Sequence, residues 1–266
     1  MRTLFLAWQD PVGRRWFPVG RLEHSDGLYS FVYTKGAEQA RVKAGFHALP
    51  SFPELQTVYV SEELFPLFSN RLLPRSRPEY RDYLEWLSVP ESDADPVAIL
   101  ARSGGTRVTD TLEVFPCPEP NEQGEYQVHF LLHGLSHMPL HSVDRAMHLH
   151  VGEQLLAMRD FQNANDPDAI ALRTAERSER DIYIVGYCPR YLRDDFVHLL
   201  NWNCSPQITV ARVNPPPAPI QVRVLCRSVM SWPEGFKPFT SEEYQALVPA
   251  GAVTPQISLP PHHLGR

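Results

Sequence analysis

Apolar spacing along the chain changes character at residues 116–124, Pro-Cys-Pro-Glu-Pro-Asn-Glu-Gln-Gly. Three prolines, an asparagine and a glycine there leave no room for a regular element. Ahead of this break, residues 28–34 (LYSFVYT) and 57–60 are rich in β-branched and aromatic side chains and read as strands. Ser61 is placed to cap a helix presenting Leu64, Leu67, Phe68 and Leu72. Pro78 opens a second helix whose Tyr80, Tyr83, Leu84 and Leu87 fall at i, i+3, i+4 and i+7, one apolar stripe. A third, short helix follows Asp95-Pro96 and ends at the pair Gly104-Gly105.

Beyond the break the pattern predicts mostly strands, at 128–132, 154–158, 169–172 and 182–187. One helix interrupts them, with Pro189 in its first turn and Leu192, Phe196, Leu199 and Leu200 as its buried face. Strands at 208–213 and 220–226 follow, bridged by Asn214-Pro215-Pro216-Pro217. In the latter, Ile220, Val222, Val224 and Cys226 alternate with Gln221, Arg223, Leu225 and Arg227, which predicts a half-exposed strand with arginines outward. Five or six short strands with a helix imply a small barrel. A Thr240-capped helix over 241–247 then leads into a Pro/His tail. The expected class is α+β: a mixed α/β domain over 1–120, an OB-like or SH3-like β-barrel with one or two helices over 125–230, and a C-terminal arm or tail over 231–266.

Composition narrows the function. The chain has 266 residues, 43% of them hydrophobic, enough to bury the core of one large or two modest domains. A net charge of −6 excludes a general basic coat for nucleic acid, because such binding scales with the phosphates neutralised. The cations are lopsided: the only lysines are Lys35, Lys43 and Lys237, and the other basic residues are arginines. Codon bias accounts for that ratio more readily than function does. Residues 1–124 carry net −4, whereas 125–230 carry net −1 with arginine as their only cation, a side chain suited to bidentate phosphate contacts. The start MRTLFLAWQD is too short in apolar run for a secretory leader, and no window approaches the roughly 20 apolar residues of a membrane span. Cys117, Cys188, Cys204 and Cys226 form no C-x-x-C pair, which argues against a four-cysteine zinc site or redox dithiol. They fit reduced thiols in a cytoplasmic protein with no membrane partner.

Two stretches carry candidate chemistry. The run Arg159-Asp160-Phe161-Gln162-Asn163-Ala164-Asn165-Asp166-Pro167-Asp168-Ala169-Ile170 ends one strand, makes a turn rich in Asn and Asp, and starts another. An ordinary hairpin loop accounts for it. Gly186-Tyr187-Cys188-Pro189-Arg190-Tyr191 ends a strand and opens a helix, where Tyr187 and Arg190 flank a potential phosphate position. Taken with Gly134-Leu135 and Leu155-Leu156, the order of these residues over about 126–230 resembles the HIRAN domain. That resemblance implies a small OB-like barrel and capture of the 3′ end of single-stranded DNA, with no cofactor and no catalytic activity of its own. It places Asn163 and Asp166 at the terminal nucleotide and its 3′-hydroxyl, and Tyr187 and Arg190 along phosphates and bases. Arg159, Asn165 and His137 complete the expected binding set. A carboxylate repels phosphate, so Asp166 beside a strand end would accept a hydrogen bond from a free hydroxyl and reject a phosphorylated end. The chain departs from the family at Ser136, His137 and Met138, where arginine and aromatic residues are common, and at Asn165, where an aromatic can stack a base.

The first half is similar, over roughly 15–115, to the N-terminal subdomain of HipA-type toxin kinases. The matching residues include Val19-Gly20-Arg21-Leu22, the strand Tyr29-Ser30-Phe31-Val32-Tyr33, Leu49-Pro50, Phe65-x-x-Phe68-x-Asn70, and Ile99-Leu100-Ala101 leading to Gly104-Gly105. No G-x-x-x-x-G-K-[ST] loop and no H-R-D or D-F-G set accompanies it, so the resemblance implies an adaptor rather than phosphoryl transfer. Arg71, Arg75, Arg77 and Arg81 read either as a phosphate-contacting patch or as a solvated connector offset by Glu79, Asp82 and Glu85. His129, His133, His137, His141, His148 and His150 cluster in sequence. On a strand, His148-x-His150 would put both rings on one face as a metal pair. Three functions therefore compete: a nucleic-acid-end binder, DNA favoured; a regulatory or defence-system scaffold docking a protein partner through 1–120; and a metal-dependent hydrolase built on the histidines.

Overall fold

The computed structural model describes residues 2–163, 166, 168–175, 181–202, 204 and 206–248, with the backbone of 256–257. Contacts divide the described residues into two units. One is drawn from Met1–Pro74, Asp95–Cys117 and Thr240–Arg266, the other from Arg75–Ala94 and Pro118–Phe239. The chain passes from one unit to the other between Cys117 and Pro118, and two segments are grouped with the unit that does not hold their chain neighbours. Residues 75–94 join the second unit because Glu85 pairs with Arg212 and the Asn214 side-chain amide donates to the Trp86 carbonyl at 3.0 Å. Residues from Thr240 join the first: Tyr244 packs edge-on against Phe5 at 5.2 Å, and Leu247 N–H donates to the Tyr33 carbonyl at 2.8 Å.

The first unit contains β1 (Arg2–Gln9), β2 (Trp16–Ser25), β3 (Leu28–Tyr33), α1 (Lys35–Ala44), β4 (Tyr59–Ser61) and α2 (Pro66–Ser69). After α3 (Tyr80–Trp86), which belongs to the second unit, come α4 (Pro96–Ser103) and β5 (Leu112–Pro116). With the short β12 (Gln256–Ile257) they form one six-stranded sheet in the order β12-β4-β3-β2-β1-β5. It is antiparallel except for the β12–β4 pair. Leu6, Val19, Phe31, Tyr33, Phe52 and Phe68 fill its core. The buried Tyr33 hydroxyl donates to the Phe52 carbonyl and accepts from Leu49 N–H, both at 2.7 Å, so burying this phenol leaves no unmet polar group. Helix α4 forms where expected, since Asp95 accepts from the Val97 and Ala98 amides and Gly104 closes the helix in the left-handed region. The helix expected after Ser61 is shorter than predicted. Ser61 Oγ instead accepts from Glu63 N–H in a local turn, and the helix begins only at Pro66.

The second unit contains α3, β6 (Glu125–Leu131), α5 (Leu140–Met147), β7 (Gln154–Arg159), β8 (Ile170–Thr174), β9 (Ile184–Tyr187), α6 (Arg193–Asn201), β10 (Gln207–Val213) and β11 (Val224–Ser231). Its antiparallel sheet runs β6-β11-β10-β7-β8-β9 and curls into a half-barrel, so the chain is α+β. A bridge past the end of β6 draws the two edge strands together: His133 and Tyr187 exchange N–H···O bonds of 3.0 Å each. Tyr126, Phe130, Leu172, Val185, Phe196 and Ile208 lie in the core. Two expectations are corrected here. The strand predicted over 220–226 starts at Val224, because Ile220–Val222 is a 3-10 turn held where Asn214 Nδ2 reaches the Val222 carbonyl and Arg223 reaches the Ala218 carbonyl. On α6, Leu200 is exposed and Asp195 takes a buried position instead. No helix among the described residues is long and apolar enough to cross a membrane.

Candidate functional site

The loop between β7 and β8 is built by its own polar side chains. Asp160 N–H donates to the Ala169 carbonyl at 2.8 Å, Asp160 Oδ1 accepts from Gln162 N–H, and Asn163 Oδ1 accepts from Asp166 N–H at 3.0 Å. This self-bonding is why Asn and Asp recur at these positions. It carries Asp166 to a nearly buried position, where its carboxylate meets the first turn after β9. Arg190 Nε donates to Asp166 Oδ2 at 2.6 Å and Arg193 Nη1 to Oδ1 at 3.1 Å. Burial alone would raise the Asp166 pKa, but the two guanidiniums outweigh it and hold the carboxyl below its ordinary value.

Tyr187 stands beside this pair. Its hydroxyl donates to Asp160 Oδ2 at 2.8 Å and is also hydrogen-bonded by the Asn163 side chain. Burial, then the Asp160 carboxylate, raises the phenol pKa, so Tyr187 is a neutral donor. Two glycines set this ring in place. Gly134 has φ +80°, and a Cβ there would lie 3.0 Å from Tyr187 Cδ2. Gly186 has φ +153°, and a Cβ would meet the His133 carbonyl oxygen at 2.7 Å and Leu132 Cγ at 2.6 Å. Only glycine lets the bridged strands approach this closely.

Asn163, Asp166, Tyr187 and Arg190 therefore come together as one constellation. Arg159 lies along the same loop, paired with Asp168 at 2.7 Å and stacked over the Phe161 ring at 4.8 Å. His137 is exposed, at the end of the turn that Gly134 begins. Asn165 lies outside the described residues. Sequence reasoning missed three participants: Asp160, which anchors Tyr187; Arg193, the second cation on Asp166; and Phe161, whose ring is 70% exposed. Phe161 restores an aromatic face to a loop that lacks one at Asn165. Arg193 was signalled by its spacing of three from Arg190, which puts both on one side of a helical turn. The rim carries Arg159, Arg190 and Arg193 against Asp160, Asp166, Asp168 and Asp194, so it holds its cations in place without being a basic patch.

The histidine pair departs from expectation. His148 caps the C-terminus of α5, its Nδ1 against the Asp144 carbonyl at 2.7 Å, and His150 follows in a connecting loop, so no strand aligns their rings. Among the described residues no group of three or more His, Cys, Asp or Glu side chains could hold a metal ion. The four cysteines form no disulfide among the described residues, and Cys188 and Cys226 are buried. No family model and no curated protein matches the chain. Among solved structures, a crystal structure of a protein from Lactobacillus plantarum is similar, with 18% identity over 40% of this chain and 99% of that chain, at a TM-score of 0.30.

Proposed function

We propose that the second unit binds the 3′ end of a single nucleic-acid strand, DNA by preference, and performs no chemistry on it. The observation that carries this reading is the placement of Asp166 between Arg190 and Arg193, on the loop that also exposes Phe161. Two guanidiniums held by one carboxylate are already oriented, so little side-chain freedom is lost when a phosphate arrives. A carboxylate offers about four lone-pair positions. The described donors to Asp166 are Arg190, Arg193 and Asp168 N–H, which leaves room for a hydroxyl. A terminal 3′-hydroxyl would donate there, whereas a 3′-phosphate would meet negative charge. Phe161 would stack the last base, a contact worth about 1–3 kcal/mol, with Arg159 on the ring's other face. A footprint of this kind needs a few placed groups and not a basic surface, which reconciles it with a net charge of −6.

The test is a fluorescence-anisotropy panel of single-stranded oligonucleotides ending in 3′-hydroxyl or 3′-phosphate, with a blunt duplex, at two salt concentrations. Binding of the 3′-hydroxyl strand at micromolar concentration and low salt is expected, with weaker binding of the 3′-phosphate strand. Equal binding of both ends would remove the role given to Asp166. Absence of binding by every oligonucleotide would overturn the function.

A further inference from the structure

The second unit holds another group of arginines that the strand-end reading does not use. A cleft of about 400 Å³ is lined by Arg75, Arg77, Tyr80, Arg81, Glu91 and Ala94, among others. Its walls are anchored. Tyr80 is buried, Arg75 Nη2 spans to the Ala94 carbonyl at 3.0 Å, and the Glu85–Arg212 and Asn214–Trp86 contacts tie the segment to β10. Arg77 and Arg81 have no carboxylate within ion-pair distance among the described residues, although Glu91 lines the same cleft. Elsewhere in this unit Arg145, Arg159, Arg190, Arg193 and Arg212 each pair with a carboxylate. Three guanidiniums, none of them in an ion pair among the described residues, thus line one concavity of small-molecule size.

We propose that this cleft is a binding site for a compact polyphosphate anion, either free or as the polyphosphate end of a nucleotide. Planar guanidiniums match the paired oxygens of phosphate groups, and several together can neutralise a pyrophosphate. A long polyanion fits less well. Residues 75–94 carry Glu79, Asp82, Glu85, Glu91 and Asp93 against three arginines, so a continuous phosphate backbone leaving the cleft would run over acidic surface. The site shares no residue with the Asp166 constellation and does not depend on the function proposed for it.

The experiment is calorimetric titration of the full chain with inorganic pyrophosphate and, separately, with ADP at low salt. It is repeated on Arg77→Gln/Arg81→Gln and on Arg227→Gln, an exposed arginine outside both sites. Binding is expected to fall about tenfold for each arginine removed from the cleft, in line with charge-assisted hydrogen bonds, and to be unchanged in Arg227→Gln. ADP binding much tighter than pyrophosphate identifies the nucleotide as the source of the anion; similar affinities identify the free anion. Both arginines are exposed, so unchanged thermal unfolding of the double variant shows that it folds. Failure of both probes to bind, or binding unaffected by the double substitution, overturns the proposal. So does a double variant that loses only oligonucleotide affinity, since the cleft would then be part of a nucleic-acid path.

Discussion

Asp195→Asn is expected to stabilise the second unit at neutral pH and to leave it no more stable in acid. Asp195 lies on α6 with 3% exposure, and its described partners are distant: the Tyr126 hydroxyl and the Phe239 N–H, each at 3.4 Å. No described cation lies within ion-pair distance of it. Burial dominates and pushes its pKa from 3.8 up to about 7. The folded chain therefore keeps a proton that the unfolded chain has released, and stability falls as pH rises between about 4 and 7, then levels off. Each pH unit within that window costs about 1.4 kcal/mol, so the whole span costs about 4 kcal/mol. Asparagine fills the same space without ionising and removes this dependence. Urea unfolding followed by tryptophan fluorescence at pH 5, 6, 7 and 8 measures it, with Trp202 and Trp232 reporting on this unit. The variant should gain about 2–4 kcal/mol over the parent between pH 5 and pH 8. Parallel stability curves for the two proteins would refute the assignment of a protonated, buried carboxyl.

Three further outcomes are expected. Gly186→Ala should cost about 2–3 kcal/mol, because the new Cβ meets the His133 backbone oxygen at 2.7 Å and backbone cannot step aside cheaply. A thermal-unfolding difference below about 0.5 kcal/mol would contradict the close approach. Asp166→Asn should cost about 1–2 kcal/mol at pH 7, less than a fully buried pair because Arg190 and Arg193 stay partly hydrated. The depressed carboxyl contributes stability above its unfolded pKa and loses it as pH falls through the folded one. The parent's advantage should therefore shrink as pH falls below the ordinary carboxylate value, as read by urea unfolding. Phe161→Ala should leave stability within about 0.5 kcal/mol, since the ring is exposed, while weakening single-strand binding about tenfold through lost stacking. Unaltered affinity in the anisotropy assay would take Phe161 out of the site.

Legibility in the sequence followed how locally each feature is encoded. Helix α4 could be read at both ends, because Asp95-Pro96 and Gly104 supply the cap chemistry within the segment itself. Strand β1 was missed because its buried residues run consecutively from Leu4 to Ala7, which removes the alternation that marks a strand. Helix α5 was missed for lack of apolar content: Leu140 is exposed, and only Ser142 and Ala146 are buried along it. The alternation over 220–226 gave the wrong start because a 3-10 turn can present the same residue types, and its stabilising bonds come from Asn214 and Ala218 outside the window. Which unit owns residues 75–94 and 240–248 depends on contacts across more than a hundred positions, and no local pattern carries those. Within the site, the Asn/Asp turn was visible as a turn. The Asp166–Arg190 pairing was not, because a carboxylate and a guanidinium 24 residues apart announce nothing until the strands bring them together.

The excess of arginine over lysine acquires a structural meaning from these contacts. Arg71 reaches the Gly105 carbonyl and both oxygens of Asp110 at once. Arg145 bridges Glu153 and Asp181, and Arg212 joins Asn214 to Glu85. A guanidinium presents five donors in a rigid fork and can serve two acceptors together, whereas an ammonium acts as a single point charge. Many of the arginines are thus cross-links inside an acidic chain, and their charge is spent on neighbouring carboxylates before any ligand arrives. An anion can compete only where carboxylates hold the cations but leave them facing outward, as at Asp166, or where the cations lack a carboxylate, as at Arg77 and Arg81. Net charge reports neither case. The distribution of partners does, and under the two proposals made above it confines anion recognition to sites the size of a few phosphate groups.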